Sequence, residues 1–340
     1  MAHLEEEPAP LRMMRLLFGG LISQMLALTV QLNLPDRLKH GPLTAGFLAQ
    51  QLNLDPVATY RLMRGLSSLG VLQEHMHETF SLTVLGETLR RDLPGSLAGL
   101  ARLAGEKWHW SALAELPHAV ATGESAFSRA HGTGMFQWLE QHPEASEAFS
   151  DAMSSFSAIE AHLVASAYDF TRVTRVADVG GGHGLLLAEI LSRYSNVEGV
   201  LFDLPHVASG AESTFAERGL SHRSRVIAGD FFEAVPGDCD VYLFKHILHD
   251  WDDIRARRIL SRVAQAMPSD ARVLIAEQVL PPIGVAHFSK IMDVGVLVMT
   301  EGGRERTQAE HAALLESAGL VLVEVTPTPG PLSLVEARRA

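Results

Sequence analysis

From Arg175 onwards the sequence alternates short β-rich runs with helical stretches, and this alternation constrains the fold more than any other feature. The runs predict strands at residues 175–179, 199–203, 225–229, 240–244, 272–276, 320–325 and 332–336. Strands that alternate with helices form mainly parallel sheets covered by helices on both faces. We therefore predict an α/β chain with a doubly wound, Rossmann-like, seven-stranded sheet, whose ligands lie beyond the carboxyl ends of the strands.

The first hundred or so residues show helical periodicity and little that resembles a strand. One helix is predicted from its capping residue Thr44 to Leu52, and another begins at Asp55. The β-rich residues 71–72 and 80–82 flank a polar turn and predict a hairpin, so the segment resembles a winged helix-turn-helix. We predict a mainly helical, winged-helix dimerisation domain at residues 1–105, and bridging helices with the Rossmann-like domain at residues 106–340.

Charge argues against a nucleic-acid partner. The chain has a formal net charge of -12, and the helix that a winged fold would present to DNA offers only Arg61 and Arg64 as cations. Phosphate binding needs a basic surface, so this segment is predicted to serve packing or dimerisation. The alternative, a regulator that binds DNA and senses a ligand, stays open at this point.

The apolar run at residues 16–34 is interrupted by Gly19, Gly20 and polar residues, so it falls short of a membrane span. It predicts a helix pair that is buried or lies at a homodimer interface, and no membrane partner. The single cysteine, Cys239, forms no internal disulfide, and the first residues are acidic where a signal peptide is basic. Both observations predict a cytoplasmic protein.

A glycine-rich loop follows the first strand of the sheet. It runs from Gly180 to Gly184 and leads directly into the apolar helix that starts at Leu185. Glycines let the backbone approach a ligand closely, and the helix N-terminus offers free N–H donors, so a nucleoside ligand fits. A dinucleotide fingerprint needs a third glycine where Leu185 stands, which argues against NAD. The alternative is a glycine turn with a purely structural role.

Acidic and aromatic residues follow the next two strands. Asp203 ends the second strand, and an acidic residue there accepts hydrogen bonds from ribose hydroxyls. Asp230 and Phe231 follow the third strand, where a carboxylate accepts from an adenine amine while the ring packs against the base. A lone aspartate at a strand end is often a helix cap, but three strand ends with matching chemistry predict an adenosine-type cofactor.

Two histidines, His246 and His249, follow the fourth strand, where acid–base chemistry is expected. Glu277 follows the fifth strand and Glu305 precedes a later helix, so both are placed to reach the same crevice. The alternative for each is a surface carboxylate. No metal is predicted, because the lone cysteine is remote and no ligand spacing typical of zinc is present.

Taken together, these motifs resemble the O-methyltransferase family that includes acetylserotonin, caffeate and flavonoid O-methyltransferases. They are Asp-Val-Gly-Gly-Gly-x-Gly, Phe-Asp-Leu-Pro-His-Val, Gly-Asp-Phe-Phe, Leu-x-Lys-x-x-Leu-His-Asp-Trp-x-Asp and Gly-Gly-x-Glu-Arg-Thr. The resemblance covers nearly the whole chain. It implies a class I methyltransferase fold, S-adenosyl-L-methionine as cofactor with S-adenosyl-L-homocysteine as product, and a role in secondary metabolite and antibiotic biosynthesis.

The resemblance also implies roles for particular residues. His249 corresponds to the general base, with Glu277 and Glu305 as the carboxylates that flank it. The residues expected to bind the cofactor are Met153, Ser157, Asp178, Gly180, Gly182, Asp203, Leu204, Gly229, Asp230, Phe231 and Lys245.

The acceptor is expected to be a hydroxyl of a small phenolic, quinone-like or heteroaromatic molecule. The residues predicted to bind it are Trp108, Trp110, Phe149, Met153, His246, Asp250, Met292, Val296 and Met299. The alternative for the apolar ones is ordinary core, and for His246 a structural histidine. A degenerate member of the family, with N-methylation or altered chemistry, is the competing function.

Overall fold

A computed structural model of the chain describes residues 8–208 and 210–340. The acidic first residues, used above to predict the absence of a signal peptide, lie outside the described residues. The chain divides into two compact units, Met1–Trp110 with Glu147–Phe156, and Ser111–Ser146 with Ser157–Ala340.

The N-terminal unit contains the predicted helix pair and hairpin. Its helices are α1 (Ala9–Leu17), α2 (Gly19–Gln31), α3 (Leu34–Leu38), α4 (Ala45–Leu52), α5 (Pro56–Ser68), α6 (Val84–Glu87) and α7 (Ala98–Leu103). Its strands are β1 (Leu43–Thr44), β2 (Leu72–His75) and β3 (Thr79–Leu82), in the order β1-β3-β2. Two further helices, α8 (Lys107–Ala114) and α12 (Pro143–Ala167), have residues in both units.

Local sequence signals set the helix starts in this unit. The Thr44 side chain accepts a hydrogen bond from the backbone of Phe47, as expected of a capping residue. Asp55 caps α5 in the same way, and that helix buries Met63 and Leu66. The helices and the hairpin therefore lie where the sequence predicted them, and their assignment to a winged helix stays a prediction.

The second unit is built around one large sheet. Its helices are α9 (Leu116–Thr122), α10 (Ala126–His131), α11 (Met135–Glu140), α13 (Leu185–Arg193), α14 (Pro205–Ala208), α15 (Ala211–Glu217), α16 (Asp253–Ala266), α17 (Ser289–Met299) and α18 (Gln308–Ser317). Its strands are β4 (Arg175–Val179), β5 (Glu198–Asp203), β6 (Ser224–Ala228), β7 (Val241–Lys245), β8 (Arg272–Glu277), β9 (Val279–Leu280), β10 (Arg306–Thr307), β11 (Leu320–Pro327) and β12 (Ser333–Arg339).

The large sheet has seven strands in the order β11-β12-β8-β7-β4-β5-β6. The pairs from β8 to β6 are parallel, whereas β12 is antiparallel to both of its neighbours, β8 and β11. A strand is present at each predicted position, so the doubly wound sheet is confirmed. The short parallel pair β9 and β10 is an addition that the sequence did not predict.

Buried apolar residues cover both faces of this sheet. One buried cluster includes Leu186, Leu187 and Ile190 of α13, and the other includes Ile259 and Leu260 of α16. These helices fill the connections after β4 and β7, so their N-termini and the loops before them lie at the carboxyl ends of the strands. The predicted site residues lie at those ends.

Among the described residues, no single helix is long and apolar enough to span a membrane. The consecutive helices α1 and α2, bent by 47° at their junction, meet the length and composition criteria only when they are taken together.

Candidate active site

His249 lies in a single turn of 3-10 helix, Leu248–Asp250, which follows β7. Its side chain is nearly buried, and its Nδ1 lies 2.9 Å from Oε1 of Glu305. Its backbone N–H donates to Oε1 of Glu277 over 3.0 Å. Because a carboxylate at Nδ1 favours the proton there, the neutral ring has Nε2 as its acceptor atom. The structure thus brings together the three residues that the sequence placed around one crevice.

The two carboxylates reach His249 from different elements. Glu277 is the last residue of β8, which pairs with the strand that precedes the His249 turn. Glu305 comes directly before β10, and its backbone N–H donates to Oδ1 of Asp293 on α17. The adjacent backbone N–H of Arg304 donates to the carbonyl of His249. The segment before α18 therefore holds the histidine through both its ring and its backbone.

A buried guanidinium fixes the turn that carries His249. Arg306 is 0% exposed and donates to the carbonyl oxygens of Leu248 and Trp251, over 2.9 and 2.8 Å. It also donates to Oδ1 of Asp253 at the start of α16. Because a buried charge is stable only when its donors are paired, these contacts tie both ends of the turn to β10.

The carboxylates determine the ionisation of this cluster. Burial alone would lower the pKa of His249, but the negative charges of Asp250, Glu305 and Glu277 outweigh burial and raise its pKa to about 10. Burial raises the pKa of Asp250 to about 6, although His249 opposes this change. Oδ1 of Asp250 lies 3.5 Å from Nε2 of His249. The ring is therefore a strong base with carboxylates near both nitrogens.

The glycine loop lies next to the His249 loop. Gly180 adopts a φ of +73°, and a side chain at that position would overlap Ile247. Gly182 has a φ of +58°, and no described atom lies within 4 Å of the place that its side chain would take. This loop therefore requires glycine for both conformation and space.

Asp203 supports the same loop from β5. Its Oδ2 accepts from the backbone of Gly182 over 2.8 Å, and its Oδ1 accepts from the backbone of Leu204 over 2.7 Å. Each carboxylate oxygen has a second lone pair, so these bonds still allow the predicted contact with ribose hydroxyls. Gly229 extends this edge, and a side chain there would overlap Phe202.

Asp178 lies at the base of the glycine loop and is 1% exposed. Its Oδ2 has no hydrogen-bond partner among the described residues. Burial raises the pKa of Asp178 to about 7, and the charge of Lys245 limits the rise. A buried acceptor without a partner beside an open glycine loop fits a ligand that brings a polar hydrogen.

Aromatic rings surround the predicted adenine position. Asp230 is exposed, and its carboxylate accepts a hydrogen bond from the backbone N–H of Phe232. The centroid of the Phe232 ring lies 4.8 Å from that of the Trp251 ring. Phe231 also contacts Trp251, and Phe136 of α11 stacks on it at 5.6 Å. Trp251 and Phe136 were not among the predicted site residues. Trp251 could have been predicted from the sequence, because it directly follows His249 and Asp250. Nothing near Phe136 in the sequence points to this cluster.

Lys245 and His246 both bind the carboxylate of Glu160, which was not among the predicted site residues. Nε2 of His246 lies 3.0 Å from Oε2 of Glu160, and Nζ of Lys245 lies 3.3 Å from the same oxygen. Glu160 and the half-buried Ser157 lie on α12. Whether His246 also contacts an acceptor stays a prediction.

The predicted acceptor residues other than His246 and Asp250, which follow β7, fall into two groups. Met292, Val296 and Met299 lie on α17 with spacings of four and three residues, so they share one helix face. The others belong to the N-terminal unit, and they are Trp108, Trp110, Phe149 and Met153. Within that unit, Nε1 of Trp110 donates to the carbonyl of Ala104 over 2.7 Å. Their contact with an acceptor stays a prediction.

Comparisons with known proteins agree with this fold and identify the family. A model of the O-methyltransferase domain matches residues 110–321, and a model of the O-methyltransferase dimerisation domain matches residues 14–92. The mitomycin biosynthesis 6-O-methyltransferase of Streptomyces lavendulae is 39% identical over 327 residues, which cover 96% of this chain and 93% of that protein.

Two further relatives differ in their acceptors. The 8-amino-8-demethylriboflavin N,N-dimethyltransferase of Streptomyces davaonensis is 35% identical over 321 residues, covering 93% of this chain and 92% of that protein. An O-methyltransferase from neocarzinostatin biosynthesis, solved with S-adenosylmethionine and 2-hydroxy-5-methyl naphthoic acid, is 30% identical. The match to that structure has a TM-score of 0.78 and covers 94% of this chain and 96% of that chain.

The seven-stranded sheet, with a glycine loop and a buried histidine at its strand ends, defines a class I methyltransferase fold. The matching domains then specify the chemistry. The chain belongs to the O-methyltransferase family and is an O-methyltransferase with an attached dimerisation domain.

The buried carboxyl of Asp178 predicts a change of stability with pH. Its pKa rises from an ordinary value of about 4 in the unfolded chain to about 7 in the folded protein. The stability that its neutral form contributes is complete below pH 4 and is lost as the pH rises through 7. We therefore expect Asp178→Asn to gain stability relative to the wild type between pH 5 and pH 8.

Urea unfolding of the ligand-free proteins at these two pH values measures this difference. The exposed Asp270→Asn variant serves as the control, since the same chemical change there removes no buried carboxyl. An equal difference between Asp178→Asn and wild type at both pH values would contradict the prediction.

Proposed function

We propose that the chain transfers the methyl group of S-adenosyl-L-methionine to a hydroxyl of a small aromatic molecule, with His249 as general base. One observation carries the proposal. His249 is held by buried Glu305 and Glu277 at the strand ends, next to the glycine loop. The neocarzinostatin relative, solved with this cofactor and a hydroxynaphthoic acid, supports the choice of cofactor and acceptor class.

The residues present fit the cofactor. Open space at Gly182 and the unpartnered Oδ2 of Asp178 suit the polar amino-acid part, and Asp203 suits the ribose. Asp230 with the rings of Phe231, Phe136 and Trp251 suits the adenine. Leu204, Gly229 and Lys245 line the same strand ends, and Ser157 and Met153 lie on α12. No metal enters the proposal.

When bound, S-adenosylmethionine supplies an electrophilic methyl group on a cationic sulfur. Nε2 of His249 takes the proton of the acceptor hydroxyl. Nδ1 keeps its own proton and donates it in a hydrogen bond to Glu305. An unperturbed imidazole, with a pKa of about 6.5, is too weak a base for a phenol of pKa about 10. The surrounding carboxylates raise the pKa of His249 to about 10, so the neutral form of the ring takes the proton at little free-energy cost.

The apolar face of α17, with Met292, Val296 and Met299, suits a flat aromatic acceptor. Asp250, beside Nε2 of His249, orients the acceptor. The relative from mitomycin biosynthesis supports an acceptor from secondary metabolism. A cytoplasmic location is part of our proposal. The N,N-dimethyltransferase relative makes N-methylation of an aromatic amine the second candidate.

Incubation of the purified protein with labelled S-adenosylmethionine and a panel of phenols, quinols, hydroxypyrroles and anilines tests the acceptor class. We expect labelled ethers from hydroxyl acceptors, and a loss of about 10²–10⁴-fold in kcat for His249→Ala. The exposed His222→Ala variant is the control. Transfer to anilines alone would favour the N-methyl alternative, and full activity of His249→Ala would overturn the base.

The pH profile of Glu305→Gln tests the origin of the basicity. Removing the carboxylate at Nδ1 removes one influence that raises the pKa of His249, so this pKa falls by about 1–3 units. Activity rises with pH as the ring loses its proton, and we expect this rise to move to lower pH while the maximal kcat decreases. One acceptor is used throughout, and the exposed Glu316→Gln is the control. An unshifted profile would show that Glu305 does not tune the base.

We propose a homodimer formed through the N-terminal domain. We also propose that this domain ends at residue 105. Leu16 and Leu17 of α1 are 74% and 76% exposed, and a contiguous apolar surface favours association. Glutamate at both positions is expected to give a monomer by light scattering after gel filtration. Val84→Glu, at an 89% exposed position outside α1, should leave the dimer intact. A dimeric double variant would refute this interface.

A further inference from the structure

Glu160 is a buried carboxylate, 3% exposed, on α12. Its Oε2 lies 3.0 Å from Nε2 of His246, its Oε1 lies 3.2 Å from the same nitrogen, and Lys245 donates to Oε2 over 3.3 Å. These partners are two consecutive residues at the end of β7, three and four positions before His249. The carboxylate thus anchors the start of the segment that carries the proposed base.

His246 has an unusual backbone conformation. Its φ is +54°, in the left-handed region, which residues with a side chain rarely adopt. Such strain persists only where the surrounding contacts impose it, and it concentrates at functional sites. One contact of the His246 side chain with α12 is the hydrogen bond to Glu160. On its other side the ring lies 5.1 Å from the ring of His249, centroid to centroid, with 35° between the planes.

The charges of this group follow from its contacts. Burial and the neighbouring Lys245 lower the pKa of His246, and Glu160 offsets only part of this effect, so the ring is neutral at neutral pH. Burial opposes ionisation of Glu160, but His246 and Lys245 outweigh burial and lower its pKa. An ionised carboxylate therefore accepts from Nε2 of a neutral His246, and this bond fixes the tautomer and orientation of that ring.

We propose that Glu160 is a positioning residue for methyl transfer, which acts through His246 to hold the imidazole of His249 in place. Glu305 and Glu277 hold the ring nitrogen and the backbone of His249, and the Glu160–His246 pair supports its ring from the side of α12. Without the negative charge, the hydrogen bond that orients the ring of His246 weakens, and the His249 ring loses part of that support. This inference rests on the proposed role of His249 as the base.

Three variants separate the roles. Glu160→Gln keeps the shape and an acceptor oxygen but removes the charge. His246→Asn keeps a residue that tolerates a positive φ but removes the ring. Glu144→Gln is the matched control, since it makes the same change at an exposed position on the same helix.

The measurement is a double-mutant cycle on kcat and KM in the full-length enzyme, with the thermal midpoint of each variant. Because a slightly misplaced base slows the reaction without weakening binding, we expect each single variant to lose about ten- to hundred-fold in kcat. We expect KM for the acceptor and for S-adenosylmethionine to change by a smaller factor than kcat in each variant. The double variant should lose no more than the worse single variant, since both changes break the same support.

Other results overturn the proposal. Multiplicative losses would show that Glu160 and His246 act separately. A rise in KM at unchanged kcat would make Glu160 a binding residue, and wild-type kinetics in Glu160→Gln would exclude any role. If Glu144→Gln lost the same factor in kcat as Glu160→Gln, the loss would be an effect of net charge. Absence of methyl transfer by the wild type would overturn the proposed function itself, whereas multiplicative losses in an active enzyme overturn the positioning role alone.

Discussion

The site depends on the hydrogen bonds of the buried guanidinium of Arg306. The guanidinium is fully buried, and it donates to the carbonyls on either side of the His249 turn and to Asp253 at the start of α16. A charge in the protein interior must find such partners, so the backbone cannot leave them without a large loss of free energy. The neighbouring Glu305 binds the ring of His249, and Arg304 binds its carbonyl. One short segment thus sets the position, tautomer and basicity of the histidine.

Burial lowers the pKa of both histidines after β7, but their charged partners differ, so the net changes in pKa are opposite. The ring of His249 has carboxylates near both nitrogens, and its pKa rises to about 10. The ring of His246 shares one carboxylate with Lys245, and its pKa falls. The same site therefore holds a strong base next to a neutral ring. Asp178 shows the effect of burial with few compensating contacts, since its pKa rises to about 7.

Much of this site could be predicted from the sequence because its residues follow strand ends. The glycine loop, Asp203 and Asp230 each come directly after a strand, and parallel strands bring their carboxyl ends to one edge. Glu160 could not be found in this way. It lies in the middle of a long helix, where a glutamate usually faces solvent, and its partner His246 is 86 residues away. Phe136 was not predicted either, because it lies on α11, which is distant in sequence from its partner Trp251.

The sequence by itself determined the seven strands of the large sheet, the capped helix starts at Thr44 and Asp55, and the requirement for glycine after β4. These features depend on local periodicity, side-chain capping and backbone sterics, which neighbouring residues decide. Only the tertiary structure decided that Glu305 meets the ring of His249, 56 residues away, and that Glu160 binds His246. Those contacts, and the pKa values that they change, require desolvation and the packing of distant elements, which no short stretch of sequence encodes.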